Sequence, residues 1–312
     1  MTGIDIVSGW TQAARTRARG SSLFPHLALL LTILLWSANA TFVKVGVTHV
    51  RPIPFTTARF GVGALVLAVF ALLAGRRLNQ RPPWKLLIAA SLSGFVLNQL
   101  TFTFALSLST VVDVSLIVGL SPLLAAIVLF AAVTRRRPPA RRMVGLLLGF
   151  AGVVLVVAAG ARSGGISLLG DLVALGTPLT WAVYMVISDH AAKRNDAIVF
   201  TTWCVVAAFL AFLPMAGAQA LQGHDDWLPA LPSIAYSGVV ATGLAYALYG
   251  WALPRVGVTE TSMYTYVQPV CGVAIGAVFL HEAVGVAQVL GGAAILVAAY
   301  LGSWSRARPV QE

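Results

Sequence analysis

The sequence has little charge. Only 10% of its 312 residues are Asp, Glu, Lys or Arg, and 58% are hydrophobic, whereas soluble domains carry about 25% charged residues. So few charges cannot cover a closed surface in water. The mean hydropathy is +0.86, with apolar stretches near 20 residues. A hydrocarbon core about 30 Å thick requires about 20 apolar residues per helix, so the composition excludes a soluble enzyme and a disordered chain.

Cysteine and histidine are also scarce. The two cysteines, Cys204 and Cys271, lie in apolar segments, which excludes a disulfide framework and a redox motif. The five histidines stand singly, and no HExxH, GxSxG or Walker sequence occurs. We therefore expect no catalytic residue, no metal and no cofactor. Without a nucleotide site, energy must come from a proton gradient, a solute gradient or the membrane potential.

The apolar character falls into ten segments. They run over residues 27–48, 54–74, 86–106, 111–133, 143–161, 171–190, 197–217, 231–251, 259–279 and 285–303. These lengths suit helices and exceed the roughly ten residues of a transmembrane strand. We expect an all-α membrane protein of ten transmembrane helices. The first segment also resembles a signal peptide, but its apolar character continues past Ala40, which favours a retained helix.

Lys and Arg are distributed unevenly between alternate loops. With the N-terminus in the cytoplasm, 17 of the 21 positive residues fall on the cytoplasmic side and two, Arg51 and Arg162, on the other. Cytoplasmic loops carry the excess of Lys and Arg. We therefore expect a multi-pass protein of a bacterial-type inner membrane with both termini in the cytoplasm. The same clusters explain the net charge of +11 without a nucleic-acid partner.

The two halves of the chain are similar. Trp36 corresponds to Trp181 at an offset of 145 residues, and Pro122 corresponds to Pro269 at an offset of 147. Because each half has five segments, an odd number, the second half enters the membrane in the opposite direction. Inverted repeats of this kind form a site at their interface and expose it alternately to each side of the membrane.

Residues in both halves resemble the EamA branch of the drug/metabolite transporter superfamily. In the first half they are Leu35-Trp36-Ser37, Asn39, Phe42, Pro54, Arg59 and Leu120-Ser121-Pro122-Leu123. In the second half they are Gly170-Asp171-Leu172-Val173-Ala174-Leu175, Trp181-Ala182-Val183-Tyr184, Thr265-Tyr266-Val267-Gln268-Pro269-Val270 and His281-Glu282. The resemblance covers residues 27–303 and implies five-helix repeats over 27–161 and 171–303, between cytoplasmic tails at 1–26 and 304–312. One departure is Arg135, which replaces the family's acidic counterpart of Glu282.

Polar and aromatic side chains within the segments are candidates for substrate binding. They are Trp36, Asn39, Asn98, Trp181, Tyr184, Tyr246, Tyr266 and Gln268. The two tryptophans lie near mid-segment, where an indole N–H requires a partner. For the amides the alternative is hydrogen bonding between helices, at about 0.6 kcal/mol each. A cavity lined in this way suits an amphipathic organic solute of modest size, because a bare ion would need a ring of carboxylates or carbonyls.

Five ionisable residues within the segments are candidates for gating or coupling. They are Lys44, Arg59, Asp113, Asp189 and Glu260. An unpaired charge in hydrocarbon is costly, so such residues pair or function. Near the outer end, Lys44 and Arg59 either reach the interface, with Asp113 paired to one of them, or form a polar gate that recognises carboxylate. Near the inner end, Asp189 and Glu260 either pair with Arg255, Lys193 or Arg194 or carry protons.

Pro122 and Pro269 lie at matching positions inside the fourth and ninth segments. A proline lacks the amide donor of a helical residue, so both are predicted to kink their helices. Interrupted helices at equivalent positions of two halves point to a transporter site. The alternative is a packing kink without contact to substrate.

The sequence therefore indicates a secondary transporter that acts by alternating access, with a small molecule and membrane lipid as partners. The resemblance implies export of amino acids or related small metabolites. One alternative is a multidrug or organic-cation exporter, which requires a buried unpaired carboxylate such as Glu260 or Asp113. An alternative from another class is a membrane-embedded lipid-modifying enzyme, which predicts a sizeable loop, whereas every loop here is short. A monomer and a homodimer remain open.

Overall fold

The computed structural model describes residues 23–79, 82–134, 140–163, 165–192, 195–220, 225–257, 260–261 and 264–303. These ranges are helical apart from short connections, and no strand occurs within them. Of the predicted tails, 1–26 and 304–312, only residues 23–26 are included, and they begin the first helix. Arg135 also lies outside the described ranges.

The described helices follow one another with short connections. They are α1 (Leu23–His49), α2 (Pro52–Leu73), α3 (Trp84–Leu108), α4 (Val111–Val118), α5 (Ser121–Thr134), α6 (Ala140–Ser163), α7 (Gly165–Ala174), α8 (Gly176–Ala192), α9 (Ala197–Ala220), α10 (Trp227–Val256), α11 (Val267–Phe279) and α12 (Val286–Ser303). The predicted segments 111–133 and 171–190 are each divided between two helices, because the chain breaks at Gly119-Leu120 and at Leu175.

Six helical stretches in the described ranges are long and apolar enough to cross a membrane. They are Leu23–His49, Pro52–Leu73, Trp84–Leu108, Leu168–Ser188, Ala197–Gln219 and Trp227–Val256. Four shorter apolar stretches accompany them: Val111–Ala125, Met143–Ala158, Val267–Phe279 and Val286–Ala298. A helix satisfies its own backbone hydrogen bonds, which the lipid interior demands. The chain is therefore an all-helical, multi-pass membrane protein.

Large apolar side chains cover the outside of the bundle. Those more than half exposed include Leu65, Leu72, Leu147, Phe150, Val289 and Leu290. In water such an apolar surface would be an association site, whereas lipid solvates it. The helices are correspondingly apolar on all sides, as expected of membrane helices.

Helices from the two halves pack together in pairs. α2 packs along α9, and α6 packs along α12. Arg51, which precedes α2, forms an ion pair at 2.9 Å with Asp225, which follows α9. Arg76, which follows α2, forms an ion pair at 2.9 Å with Asp196, which precedes α9. Because each pair joins the start of one helix to the end of the other, α2 and α9 run antiparallel.

The contact between α6 and α12 depends on glycine. A Cβ atom added to Gly152 would lie 2.7 Å from the carbonyl oxygen of Gly291. One added to Gly291 would lie 2.6 Å from the carbonyl oxygen of Gly152. Small residues let membrane helices approach until their backbones touch, which strengthens van der Waals packing where lipid provides no hydrophobic driving force.

Two helices contain a π-helical turn at related positions. Leu92–Leu97 lies within α3, and Tyr236–Leu244 lies within α10. At the offset of 147 residues, 92–97 corresponds to 239–244, the last part of the second turn. π-Helical turns are rare and occur often at functional sites. Their repetition in both halves marks the surroundings of these turns as a candidate site.

Candidate functional site

A cavity of about 630 Å³, counting the part that opens to the exterior, lies between the two halves. Sixteen described residues line it: Trp36, Asn39, Arg59, Phe60, Asn98, Gln99, Phe102, Val118, Ser121, Thr177, Trp181, Ala241, Thr242, Tyr246, Thr265 and Gln268. They come from α1–α5, α8, α10 and α11 and from the break before α11. Both π-helical turns adjoin the cavity, because Asn98 and Gln99 follow the first and Ala241 and Thr242 lie within the second.

Broken helices from both halves meet the cavity. Between α4 and α5 the break at Gly119-Leu120 lies between the lining residues Val118 and Ser121. Before α11 a corresponding turn at Thr265-Tyr266 contributes Thr265, and Gln268 follows it. Both halves thus have a helix break beside the same cavity, which is where membrane proteins tolerate non-helical backbone.

Aromatic rings form one wall of the cavity. The ring centroid of Trp36 lies 5.3 Å from that of Trp181, in an edge-on arrangement, and 5.0 Å from that of Tyr246. These separations are typical of favourable aromatic pairs. The indole N–H of Trp36 donates to the carbonyl oxygen of Ala241 at 2.9 Å. The π-helical turn of α10 therefore supplies the partner that an indole N–H within an apolar helix requires.

A buried arginine, Arg59, also lines the cavity. The side chain of Arg59 is 1% exposed. Its Nη2 donates to Oε1 of Gln99 and to Oγ1 of Thr103, the latter at 3.1 Å. Its Cζ lies 5.4 Å from the ring centroid of Phe60 and 5.9 Å from that of Phe55. The buried Nε has no hydrogen-bond partner among the described residues.

The surroundings of Arg59 leave its charge uncompensated. Taking an ion out of water costs several kcal/mol even after the protein relaxes. Each cation–π contact returns only about 0.5–2 kcal/mol. The ion pairs between described residues are Arg51–Asp225 and Arg76–Asp196, and neither involves Arg59. A positive charge therefore faces the cavity without a carboxylate beside it in the described structure.

An amide chain connects Arg59 to the second half. Gln99 accepts from Arg59 and donates its Nε2 to Oδ1 of Asn98 at 2.9 Å. Asn98 in turn donates its Nδ2 to the carbonyl oxygen of Thr177 on α8, also at 2.9 Å. Asn39, on the same cavity, has a buried Oδ1 without a partner among the described residues. Asn98 thus joins the two halves through Thr177, whereas Asn39 Oδ1 stays unpaired within the described residues.

Six of the eight residues predicted for substrate binding line the cavity: Trp36, Asn39, Asn98, Trp181, Tyr246 and Gln268. Tyr184 does not, because it lies one turn beyond Trp181 on α8 and packs beneath that ring against Phe95. Tyr266 does not line it either, since Thr265 and Gln268 are the residues of this turn that face the space. Whether any of these residues binds substrate stays a prediction.

Several lining residues were not identified from the sequence. They are Phe60, Phe102, Val118, Ser121, Thr177, Ala241, Thr242 and Thr265. Thr177 precedes Trp181 by one helical turn, so the i, i+4 spacing on α8 points to it. Ser121 belongs to the same motif as Pro122. For Ala241 and Thr242 no comparable signal exists, because a π-helical turn rotates side chains away from their regular 3.6-residue positions.

Lys44 and Asp113 belong to a second group of polar residues, which we call the Lys44 cluster. It comprises Lys44, Ser109, Asp113, Asp171, Glu282 and Gln288. Lys44 Nζ donates to the carbonyl oxygen of Ser109 at 2.6 Å, and Ser109 Oγ donates to the buried carboxylate of Asp171. Glu282 accepts from the backbone N–H groups of Val111 at 2.9 Å and Val112 at 2.8 Å. This carboxylate satisfies the first amides of α4.

The predicted gate of Lys44, Arg59 and Asp113 is divided by the structure. Arg59 faces the cavity, whereas the other two lie in the Lys44 cluster. Asp113 is 2% exposed and accepts from Gln288 Nε2 at 3.3 Å. It forms no ion pair with Lys44 or Arg59 in the described structure, so the alternative that paired it with one of them is wrong. The reason is that Arg59 lies two turns into α2, while Lys44 and Asp113 lie near helix ends.

The two carboxylates predicted for the other end are placed differently. Glu260 is exposed and does not line the cavity, so the hypothesis that it is a buried carboxylate is wrong for this structure. Asp189 belongs to α8, and its side chain lies outside what the structure describes. Lys193 and Arg194, expected as pairing partners, are also outside the described residues.

The two prolines begin helices instead of bending them. Pro122 is the second residue of α5, and Pro269 is the third residue of α11. In a first turn the missing N–H costs no intrahelical hydrogen bond. The predicted kinks are therefore breaks, and they occur at matching positions beside the cavity. In the described ranges, no three His, Cys, Asp or Glu residues are grouped so that they could hold a metal ion.

Proteins from other organisms are similar to this chain over most of its length. An uncharacterized transporter from Archaeoglobus fulgidus is 25% identical over 280 residues, which cover 88% of this chain and 96% of the relative. The threonine/homoserine exporter RhtA of Salmonella typhimurium is 27% identical over 288 residues, covering 89% and 90%. A protein of known crystal structure has the same fold, with a TM-score of 0.63 and 24% identity, covering 89% of this chain and 97% of its own.

A family model matches the chain twice, over residues 23–158 and 168–304. The two matches together cover well over half of the chain, and the nine residues between them, 159–167, include the end of α6 and the start of α7. The family is described as the EamA-like transporter family, which confirms the resemblance noted in the sequence. This chain belongs to the EamA-like transporter family.

Proposed function

We propose that this protein is a secondary active transporter that exports amino acids or related small metabolites by alternating access. The single observation that carries the proposal is the cavity, which is built from matched breaks and π-helical turns of the two halves. A binding space at the interface of two repeats is what alternating access requires.

The proposed architecture is ten transmembrane helices in two inverted repeats of five. The two matches of the family model support two repeats over 27–161 and 171–303. The antiparallel packing of α2 and α9, which occupy equivalent positions, supports their inverted orientation. In this arrangement α4 with α5, and α7 with α8, each form one broken span.

The proposed orientation places both termini in the cytoplasm of a cell with a bacterial-type inner membrane. It follows from the excess of Lys and Arg in alternate loops. The Arg51–Asp225 pair then lies on the outer side and the Arg76–Asp196 pair on the cytoplasmic side. The Lys44 cluster also lies on the outer side, because Lys44 ends an outward span and Asp113 begins an inward one.

The Lys44 cluster is then the outer gate. Its hydrogen bonds join the first half to the second: Ser109 donates to Asp171, and Gln288 donates to Asp113. Glu282, in the second half, caps α4 in the first half. Rocking one half against the other to open the cavity outward separates these partners. The outward-open state must therefore replace the lost hydrogen bonds with water.

The names of similar proteins support a solute class and a direction of transport for the proposed transporter. One relative is named for the export of threonine and homoserine, which supports an amino-acid solute and efflux. The cavity combines aromatic rings with amides, hydroxyls and one guanidinium, which suits a small amphipathic molecule. Since the sequence has no Walker motif, a proton or solute gradient drives the proposed transport.

Transport by purified protein in liposomes tests the proposal. Uptake of a panel of radiolabelled L-amino acids and of cationic dyes is measured with and without an imposed pH gradient. We expect at least one amino acid to accumulate above protein-free liposomes. The proposal fails if no member of the panel moves and none raises the melting temperature of the protein.

A further inference from the structure

The cavity contains a buried cation whose counter-charge is absent from the described structure. Arg59 is the only charged residue among the sixteen that line it. The other lining groups are aromatic, apolar, amide or hydroxyl and carry no charge. A guanidinium is never deprotonated in proteins. The cavity is therefore electropositive at one place.

The guanidinium of Arg59 also has unused hydrogen-bonding capacity. Two of its five N–H donors are occupied, both on Nη2, by Gln99 and Thr103. Nε is buried without a partner in the described part of the chain. The two hydrogen bonds that join Arg59 on α2 to α3 use only Nη2. The remaining donors are left for a group that enters the cavity.

A buried acceptor on α1 complements this cation. Oδ1 of Asn39 lines the same cavity and has no partner within the described ranges. An ammonium or hydroxyl group on a solute can donate to it. The aromatic wall of Trp36, Trp181 and Tyr246 offers apolar contact for the rest of the molecule.

We infer that Arg59 binds the carboxylate of the transported solute, with Asn39 as acceptor for its amino group. The inference rests on the proposed function and names the group that the site selects. One cation in a neutral lining matches one negative charge, so a monocarboxylate fits better than a doubly charged phosphate ester. The same charge repels an organic cation. The alternative of a multidrug or organic-cation exporter is therefore disfavoured.

Ligand analogues test the role of Arg59 without altering the protein. Binding to purified protein is followed by tryptophan fluorescence and calorimetry, with L-threonine, L-leucine and L-phenylalanine as probes. Each is compared with its own carboxamide, which keeps the amino group and side chain but lacks the negative charge. We expect each probe that binds to lose about 10- to 100-fold in affinity as the carboxamide, the usual effect of losing a charge-assisted hydrogen bond.

A pair of variants then assigns the effect to one residue. In Arg59→Gln the amino acid is expected to bind as weakly as its carboxamide, so the discrimination disappears. Lys85→Gln is the matched control, because Lys85 is an exposed cation that does not line the cavity, and it should keep the discrimination. Circular dichroism and gel filtration establish that both variants are folded.

The outcomes separate this inference from the proposed function. If amino acids are transported but bind no better than their carboxamides, the inference is overturned and the proposed function stands. The same holds if folded Arg59→Gln keeps the discrimination. Tighter binding of tetraphenylphosphonium than of any amino acid would overturn the inference in favour of a cation site. If no probe is bound or transported, both fail together.

Discussion

Arg51 donates a hydrogen bond to each carboxylate oxygen of Asp225, from Nε to Oδ1 at 2.9 Å and from Nη2 to Oδ2 at 2.9 Å. The backbone N–H of Arg51 also donates to Oδ1, at 3.0 Å. Arg76 and Asp196 form a second ion pair at the other ends of α2 and α9. Its cation again lies beside α2 and its anion beside α9. Ion pairs thus join α2 and α9 at both ends, and both cations flank α2.

The Arg51–Asp225 pair makes stability depend on pH. The hydrogen bonds from Arg51 hold the pKa of Asp225 below its ordinary value of 3.8. A carboxyl with a lowered pKa in the folded state contributes stability above its unfolded pKa, and the contribution is lost as pH falls through the folded pKa. Asp225→Asn should therefore lower the melting temperature at pH 7, and its difference from wild type should shrink as the pH falls below 3.8 and through the folded-state pKa.

The control for this prediction is Asp196→Asn. The Arg76–Asp196 pair is more exposed, with side chains 44% and 22% exposed against 27% and 6% for Arg51 and Asp225. Exposed pairs contribute little, so this variant should change the melting temperature less. A pH-independent loss in Asp225→Asn would contradict the ionic origin of the effect.

The glycine contact between α6 and α12 predicts an unusual sensitivity to a single methyl group. Gly152→Ala places a Cβ atom 2.7 Å from the carbonyl oxygen of Gly291, so the helices must separate. Overpacking of this kind costs about 1–3 kcal/mol, and the melting temperature in detergent should fall. Gly217→Ala on α9 is the control, since its Cβ would meet nothing within 4 Å and Ala is the better helix former. Equal effects of the two changes would refute the close contact.

The hydrogen bond from Trp36 to Ala241 predicts a graded response in transport. Trp36→Phe keeps an aromatic ring but leaves the carbonyl of the π-helical turn without its donor. The net contribution of that hydrogen bond to stability is about 1 kcal/mol. Trp36→Ala and Trp181→Ala remove the ring as well and should raise the half-saturating concentration about tenfold or more. Transport rates at varied substrate concentration decide this. If both alanine variants transport like wild type, neither tryptophan contributes to the site.

The cap of α4 by Glu282 predicts that this residue keeps the outer side closed. Glu282→Ala removes two charge-assisted hydrogen bonds between the halves, which shifts the equilibrium toward the outward-open state by about tenfold or more. The readout is labelling of Ser121→Cys by a membrane-impermeant maleimide added outside whole cells, in a background with Cys204 and Cys271 replaced by Ala. We expect faster labelling in Glu282→Ala.

Exposed Glu260 supplies the control for this experiment. Glu260→Ala should leave the labelling rate of Ser121→Cys unchanged, because the Glu260 side chain is exposed and does not line the cavity. Unchanged or slower labelling in Glu282→Ala would contradict the gate.

Glu260 also provides a test of which residue carries protons during transport. Since Glu260 is exposed and does not line the cavity, Glu260→Gln should retain accumulation driven by a pH gradient. Uptake into liposomes at fixed and at imposed pH gradients measures this. Loss of the pH-driven component alone would restore Glu260 as the coupling carboxylate.

Residues inside apolar segments were the most predictable part of the site. Because a polar group is expensive in lipid, its presence at Trp36, Asn39, Asn98 or Gln268 was informative without any structure. Tyr184 shows the limit of this reasoning. Its chemistry is the same as that of Tyr246, yet one turn of α8 carries it beneath Trp181, where it fills a packing space.

By itself, the sequence determined that the chain is helical and embedded in lipid, and that its halves are similar, because these properties follow from apolar length and from residue spacing along one chain. The tertiary structure decided which polar groups meet. It separated Arg59 from Lys44 and Asp113, and it placed the carboxylate of Glu282 at the N-terminus of α4. It also showed that the two predicted proline kinks are helix breaks. Such pairings depend on packing between elements that are distant in the chain, by 65 residues for Lys44 and Ser109 and by 170 for Val112 and Glu282. Sequence periodicity carries no information about that packing.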